Sequence, residues 1–350
     1  MDRPRHDGPA RRIKKTAAAL AVGTAGAGLF GVLGFPAPAL AGPAVATSLA
    51  MLAGARLESP LPLRDACFLV LGIGIGTSVT PEVLRAAATW PVSFAVMAVA
   101  LLATLSACNT VLAARFGFDR VSALLAATPG HLSYALGLSV HLHADLDRIA
   151  VVQSIRVLAL TVLVPALVAI WGVEGGGTAV ARPLMSPAAV LLVGLASVAA
   201  ARALSRAGLP AAWLLGAMFV SGLVHGAGIA TGRLPDWLVL GAFVVMGTLI
   251  GTRFRGQKPA DLRRNLGAGL AATLIACAAA AMGALAVAEL LGLSPVLLLI
   301  AFAPGGVEVM VAMAIQIGVD PTFVAAHHVF RLLILTALIP IFVRRARRRV

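Results

Sequence analysis

The sequence predicts an all-α polytopic membrane protein with two inverted repeats, each made of about five crossing helices and one helix broken at a Pro-Gly motif. Composition is the first observation: 60% of the 350 residues are hydrophobic and 12% are charged, whereas a soluble domain has about 25% charged residues. An internal duplication is the second, and Pro-Gly motifs inside apolar segments are the third. A soluble core of this size cannot bury so many apolar residues, so the lipid bilayer is the first predicted partner.

The duplication defines the predicted domain plan. A shift of 175 residues aligns 128–165 with 303–340 without a gap. The predicted parts are a basic tail at 1–15, a first repeat at 16–171, a Gly-rich linker at 172–186, a second repeat at 187–343 and a basic tail at 344–350. The six apolar segments of the first repeat run roughly over 16–34, 36–54, 66–79, 90–113, 121–142 and 148–171. Those of the second run roughly over 187–204, 209–230, 236–252, 266–291, 294–318 and 322–343.

The first apolar segment has two interpretations. A basic run followed by an apolar stretch and a small-residue site is typical of a signal peptide. The segment at 16–34 has a counterpart in the second repeat, however, and this favours a membrane span.

The number of crossings follows from positive charge, which is enriched on the cytoplasmic side. If all twelve segments cross, 17 Lys and Arg lie inside and 9 outside, and the basic loop 253–264 is outside. If the Pro-Gly segment of each repeat returns to the side it entered, ten crossings remain, with 23 inside and 3 outside. Omitting the fourth and tenth segments instead gives 21 against 5, but those segments are unbroken. We therefore predict ten crossings, with both termini and the 253–264 loop in the cytoplasm.

The two Pro-Gly motifs form the predicted binding site. Non-helical backbone in mid-membrane is tolerated only inside protein or beside a cavity. The N–H groups freed after each break favour an anion, and an arginine lies in each following span, where it usually faces a cavity or a partner. The alternative is that each arginine only binds the loose carbonyl groups of the broken helix. The predicted substrate- and ion-binding residues are Pro129, Gly130, His131, Ser133, Gln153, Arg156, Pro304, Gly305, Gly306, Glu308, His328 and Arg331.

Two matching positions of the repeats differ in charge. Glu308 matches Ser133, and His328 matches Gln153. A carboxylate with a histidine nearby is suited to relay a proton or to bind a cation. The alternative is an ion pair between Glu308 and Arg331 that has no role in transport.

Other kinds of function are disfavoured by the residues. The pairs His141–His143 and His327–His328 have no carboxylate or cysteine at a spacing that completes a metal site, so we predict no metal, no cofactor and no enzymatic activity. Positive charge is concentrated at the termini, without interleaved aromatic residues, so nucleic acid is not a predicted partner. The GIGIG motif at 72–76 lacks the lysine of a nucleotide loop and predicts close helix packing instead.

The motifs APGGVEVM at 303–310 and GVDPTFVAAHHVFRLL at 318–333, together with the matching first Pro-Gly motif, resemble the AbrB family of bacterial membrane proteins. The resemblance covers nearly the whole chain and implies a multi-pass protein of the bacterial inner (plasma) membrane. Members are named for transport, for regulation of gene expression or for ammonia monooxygenase. The family is also similar to the superfamily of cation/proton antiporters and anion symporters, which implies inverted repeats with interrupted helices. One departure is His131, which stands where the family pattern has a second glycine.

The leading hypothesis is a secondary transporter of a small organic solute, with an anion favoured, coupled to H⁺ or Na⁺. A membrane-bound regulator or sensor without turnover is the alternative. An ammonia monooxygenase-like enzyme is a third, which would need a metal or flavin. A homodimer is left open.

Overall fold

The computed structural model describes residues 9–78, 90–130, 135–136, 138–139, 142–170, 183–209, 211–257 and 259–347. Within these ranges the chain forms thirteen α-helices and no strand beyond an isolated β-bridge between Leu184 and Arg233, so the predicted all-α class is confirmed. The first half contains α1 (Pro9–Val32), α2 (Pro38–Leu52), α3 (Leu61–Gly76), α4 (Trp90–Phe116), α5 (Arg120–Ala127) and α6 (Leu146–Ile170). The second half contains α7 (Pro187–Arg206), α8 (Ala212–Gly226), α9 (Asp236–Thr252), α10 (Pro259–Leu291), α11 (Pro295–Phe302), α12 (Val307–Ile317) and α13 (Pro321–Arg347).

The helices of the two halves correspond in length and in position. Helices α2 and α8 each have 15 residues, and α5 and α11 each have 8. Matching residues also begin α6 and α13. Asp145 accepts a hydrogen bond from the N–H of Arg148 at 3.0 Å, and Asp320 accepts one from the N–H of Thr322 at 2.8 Å, just before Pro321. Both aspartates are therefore the N-caps of their helices.

In the part of the chain that the structure describes, six helices have the length and hydropathy to cross a membrane: α1, α4, α6, α7, α10 and α13. Helices α2, α3, α8 and α9 have 15–17 residues, about 23–26 Å at 1.5 Å per residue, which is shorter than a hydrocarbon core of about 30 Å. Helices α1 and α7 bury only 17% of their most apolar window inside the protein, whereas α6 buries 61%. The chain is therefore a polytopic membrane protein in which α1 and α7 face lipid and α6 is central.

Helix packing divides the described residues into two bundles. Helices α1, α2, α3, α7, α8 and α9 form a glycine-rich bundle, and α4, α5, α6 and α10 to α13 form a second bundle that contains the helix breaks, here called the break bundle. In the glycine-rich bundle, α3 packs on α8 and α9 packs on α2. The two halves of the chain therefore exchange equivalent contacts.

Close backbone contact explains the glycines of this bundle. A Cβ on Gly72 would lie 2.4 Å from the carbonyl oxygen of Leu214, and a Cβ on Gly247 would lie 2.3 Å from that of Leu40. No larger residue fits without separating the helices, as the GIGIG motif predicts.

Contacts between loops decide among the arrangements of crossings. Arg148 donates a hydrogen bond to the carbonyl of Phe116 at 2.8 Å, so the two ends of the first broken segment lie on one side. Glu58 accepts from Lys15 at 3.2 Å and from Arg255 at 2.7 Å, which joins the start of α1 to the loop after α9. Twelve crossings would separate both sets by a bilayer of about 30 Å, and omission of the fourth and tenth segments would separate Arg148 from Phe116. Both alternatives are excluded, and the contacts agree with ten crossings.

Candidate functional site

The second broken segment has a helix on each side of a short extended stretch. Helix α11 ends at Phe302, and Ala303 is extended with ψ 138° because the following proline disfavours the helical conformation there. Gly306 is extended with ψ 150° and precedes the first residue of α12. Helix α12 ends after 11 residues at Gly318, whose φ of 78° is the left-handed conformation of a helix C-terminus. The predicted break at Pro304, Gly305 and Gly306 is therefore present.

The first broken segment has the same extended residue before its proline but differs at the following glycine. Helix α5 ends at Ala127, and Thr128 is extended with ψ 115° before Pro129. Gly130 has φ 78°, a conformation that glycine adopts without strain. Predicted site residues His131 and Ser133 lie outside the described residues.

The two breaks meet in the interior of the break bundle. A Cβ on Gly130 would lie 3.0 Å from the carbonyl oxygen of Gly305 and 2.6 Å from Nη2 of Arg331. The first break can approach the second this closely only because residue 130 has no side chain. Two motifs separated by 175 residues thus form one site.

Both predicted arginines bind the loose carbonyl groups of the broken helices. Arg331 donates from Nη1 to the carbonyl of Ala303 at 2.6 Å and from Nη2 to that of Gly305. Arg156 donates from Nη2 to the carbonyl of Thr128 at 2.8 Å and from Nη1 to those of Ala126 and Ala127, each at 3.3 Å. A cation at the C-terminal end of a helix also interacts favourably with its dipole. In this conformation, both arginines therefore make the contacts of the alternative in which each one binds the loose carbonyl groups of its broken helix.

Among the described residues, some buried polar atoms at the site have no hydrogen-bond partner of good geometry. They are Nε of Arg156, Nε of Arg331 and Nε2 of His328, in side chains that are 0–3% exposed; the imidazole of His328 also lies near the backbone of Ala303. His328 uses Nδ1 toward the carbonyl of Val324 at 3.0 Å, whereas the matching Gln153 donates to the carbonyl of Leu125 at 2.9 Å. Buried polar groups are normally paired, so each unpaired one marks a place where a ligand, ion or water can bind.

Glu308 lies in the first turn of α12 and is half-buried. Among the described residues it makes no ion pair within 4 Å and no hydrogen bond, so the alternative of a Glu308–Arg331 ion pair is wrong for this conformation. Its carboxylate is still within electrostatic reach of the guanidinium groups of Arg331 and Arg253. The N-terminus of α12 favours this negative charge, and the side chain remains available to an ion.

A small cavity adjoins the breaks. Its volume is about 20 Å³, enough for about one water molecule. The lining combines residues of the two breaks with side chains from α4, α10 and α11: Pro129, Pro304, Arg331, Thr104, Ala276 and Phe302. The site is therefore closed to an organic solute in this conformation.

His327 is a buried residue of the same helix that the sequence-based site does not include. Its Nε2 lies 2.6 Å from Oγ of Ser93, and its Nδ1 lies 2.8 Å from the carbonyl of Phe323. The rings of Phe94 and Phe323 pack on it with centroid distances of 4.7 and 4.0 Å. Both ring nitrogens are paired, which is typical of a structural histidine. The HH motif alone could not show which of its two histidines has both ring nitrogens hydrogen-bonded.

Within the described part of the chain, no group of three or more His, Cys, Asp or Glu side chains could hold a metal ion.

Comparison with known proteins gives consistent matches. A family model described as "Transition state regulatory protein AbrB" matches residues 40–347. An uncharacterized protein of Bacillus subtilis (strain 168), YhjN, is 30% identical over 296 residues, which cover 79% of this chain and 76% of that protein. A protein of Escherichia coli (strain K12) that carries the name AbrB as a candidate regulator is 24% identical over 308 residues, or 85% of this chain and 86% of that protein.

Proposed function

The chain belongs to the AbrB family, and from the meeting of its two broken helices we propose that it is a secondary transporter of a small organic anion, coupled to H⁺ or Na⁺. Duplicated halves whose broken helices meet inside the membrane are the usual architecture of a secondary transporter site. The observation that carries the proposal is the approach of Gly130 to Gly305, because it joins the breaks of the two halves into one site. The proposal places the protein in a bacterial inner membrane and assigns it no enzymatic step.

The charges at the breaks favour an anion. Arg156 and Arg331 are buried within electrostatic reach of each other, and each keeps one N–H without an acceptor. Glu308 is within electrostatic reach of Arg331 but forms no ion pair with either arginine among the described residues. Buried like charges without a direct partner are costly, so an anionic solute would stabilise this pair. The half-buried carboxylate of Glu308 then provides a separate position for the coupling cation.

The closed cavity is consistent with alternating access. Helices α2, α3 and α9 of the glycine-rich bundle contact α6, α12 and α13 of the break bundle through one shared hydrophobic cluster. Alternating access would be a movement of one bundle against the other across that contact. We propose that such a movement opens the site from about 20 Å³ to the size of a solute. The conformation described here then corresponds to an occluded state.

A metabolite screen tests the proposal. The purified full chain would be screened by thermal shift against a panel of small carboxylates, phosphorylated metabolites, amines and neutral solutes, and the hits would be tested in proteoliposomes. We expect an anionic hit whose uptake is accelerated by an imposed H⁺ or Na⁺ gradient. Saturable binding without uptake under either gradient would contradict transport.

A regulator without turnover is the second candidate. It is favoured by the description of the matching family model and by the name of the Escherichia coli relative. The same measurements separate the two functions, because a regulator binds its ligand without moving it across the bilayer.

A further inference from the structure

A second cavity lies away from the helix breaks, beside the start of α1, the end of α2 and the loop after α9. Its volume is about 440 Å³, which is in the range of small-molecule sites and far larger than the cavity at the breaks. Three cationic side chains line it: Lys15, Arg56 and Arg255. The sequence predicts that this end faces the cytoplasm.

One carboxylate, that of Glu58, forms ion pairs with two of the three cations. Glu58 accepts a hydrogen bond from Lys15 at 3.2 Å and from Arg255 at 2.7 Å, and its side chain is only 16% exposed. Burial by itself would raise the pKa of Glu58, but the hydrogen bond from Lys15 and the charge of Arg255 outweigh it and hold that pKa below its usual value. Glu58 therefore stays ionised at neutral pH, and the cavity retains an excess of two positive charges.

The third cation is available to a ligand. Arg56 is exposed and makes no hydrogen bond or ion pair with the described residues. Fixed cations with an excess of charge beside an exposed arginine are suited to a phosphate group, which accepts several charge-assisted hydrogen bonds.

The cavity also has an apolar side. Met51 and Leu52 line it and belong to a small hydrophobic cluster with Leu57 and Phe254, both almost fully buried. A soluble phosphate compound would leave this surface unused. An amphiphile would place its phosphate on the cations and its glycerol and upper acyl carbons on the apolar wall.

We propose that this cavity binds the headgroup of an anionic phospholipid from the leaflet on this side of the membrane. The site is independent of the solute at the helix breaks. It joins the N-terminal helix of the glycine-rich bundle to the loop between α9 and α10, which is one of the connections between the two bundles. A bound lipid would therefore stabilise one relative position of the bundles.

Native mass spectrometry on the detergent-purified full chain tests the proposal, with phosphatidylglycerol as the anionic lipid and phosphatidylcholine as the zwitterionic one. We expect saturable binding of phosphatidylglycerol and none of phosphatidylcholine at the same concentration. Arg56→Gln should weaken the binding of phosphatidylglycerol about fivefold, which is the effect of one cation near an anionic lipid. Arg56→Lys should retain most of the affinity. Because Arg56 is exposed and has no partner among the described residues, these variants should keep the melting temperature of the parent chain.

Arg263→Gln is the matched control, since Arg263 is exposed on the adjacent part of α10 and does not line the cavity. It should leave lipid affinity unchanged. Equal losses for Arg56→Gln and Arg263→Gln would reduce the effect to general surface charge and overturn the proposal. Displacement of phosphatidylglycerol by inorganic phosphate or ATP at equal concentration would also overturn it, in favour of a soluble phosphate ligand.

Discussion

The break at Pro129 and the break at Pro304 both follow a short helix and an extended residue, but they differ at the next glycine and in their polar contacts. In the first, Arg156 and Gln153 bind the carbonyl groups of 125–128, which close the end of α5. In the second, Arg331 binds two carbonyl groups across the break, and neither one nitrogen of His328 nor Glu308 is paired with any residue that the structure describes. Among the described residues, the second break therefore has more polar groups free to bind than the first, where Nε of Arg156 is unpaired.

The strongest test of this division compares alanine at the two glycines. Gly130→Ala places a side chain at φ 78°, 3.0 Å from the carbonyl of Gly305, which cannot move aside easily. We expect a loss of about 2–5 kcal/mol from left-handed strain and overpacking. The three atoms nearest to a Cβ at Gly305 belong to the buried side chain of Met310. A side chain can shift more easily than a backbone carbonyl, so Gly305→Ala should cost less, about 1–3 kcal/mol from overpacking alone.

Thermal unfolding of both variants in detergent measures this contrast. Gly283→Ala, near the ring of Phe302 in the same bundle, controls for a general effect of an added methyl group. A larger loss for Gly305→Ala than for Gly130→Ala would mean that the first break is not the constrained one.

The arginines provide the next contrast. Lysine keeps the charge but cannot reach several carbonyl groups at once, so each replacement leaves buried carbonyls unpaired. Arg156→Lys loses most of three hydrogen bonds and Arg331→Lys loses one of two, so we expect losses of about 2–3 and about 1–2 kcal/mol. The melting temperature should fall more in Arg156→Lys than in Arg331→Lys. The reverse order would mean that the second break depends more on its arginine than the first.

Much of this plan could be predicted from the sequence, because apolar segments, prolines and glycines act locally. The breaks, the N-caps at Asp145 and Asp320 and the close packing of the 72–76 motif follow from residue type and spacing. Side-chain partners depend on distant segments. No local pattern could show that the two breaks touch, that Glu308 avoids Arg331, or that His327 is paired while His328 is not. Nor could it show that Glu58 joins two loops almost 200 residues apart.

Exchange of the residues at positions 153 and 328 sharpens the comparison with a smaller effect. His328→Gln should let an amide donate to the carbonyl of Ile300, as Gln153 does to Leu125, and should raise stability by about 1 kcal/mol. Binding of the solute found in the screen should weaken, because the unpaired nitrogen is removed. The reverse change, Gln153→His, removes a hydrogen bond and should lower stability by a similar amount while leaving solute affinity unchanged.

Melting temperature and solute affinity, measured on both variants, separate structure from binding. If His328→Gln raises stability and leaves solute affinity intact, then the unpaired nitrogen is not part of the binding site.

Glu308 gives the smallest expected change in stability and the most specific change in function. The helix N-terminus favours its charge by about 0.3–1 kcal/mol, while transfer of a neutral amide out of water costs less than that of a carboxylate. These effects oppose each other in Glu308→Gln, so the free energy of unfolding should change by less than about 0.5 kcal/mol.

Because Glu308 and Arg331 form no ion pair in this conformation, a double-mutant cycle with Arg331→Gln should give a similarly small coupling energy. Uptake should persist in Glu308→Gln but lose its response to an imposed H⁺ or Na⁺ gradient, since the matching position 133 has no charge to replace it. A coupling energy above about 1 kcal/mol, with gradient-driven uptake intact in the single variant, would instead make Glu308 a structural partner of Arg331 and leave the asymmetry between the breaks without a role in ion coupling.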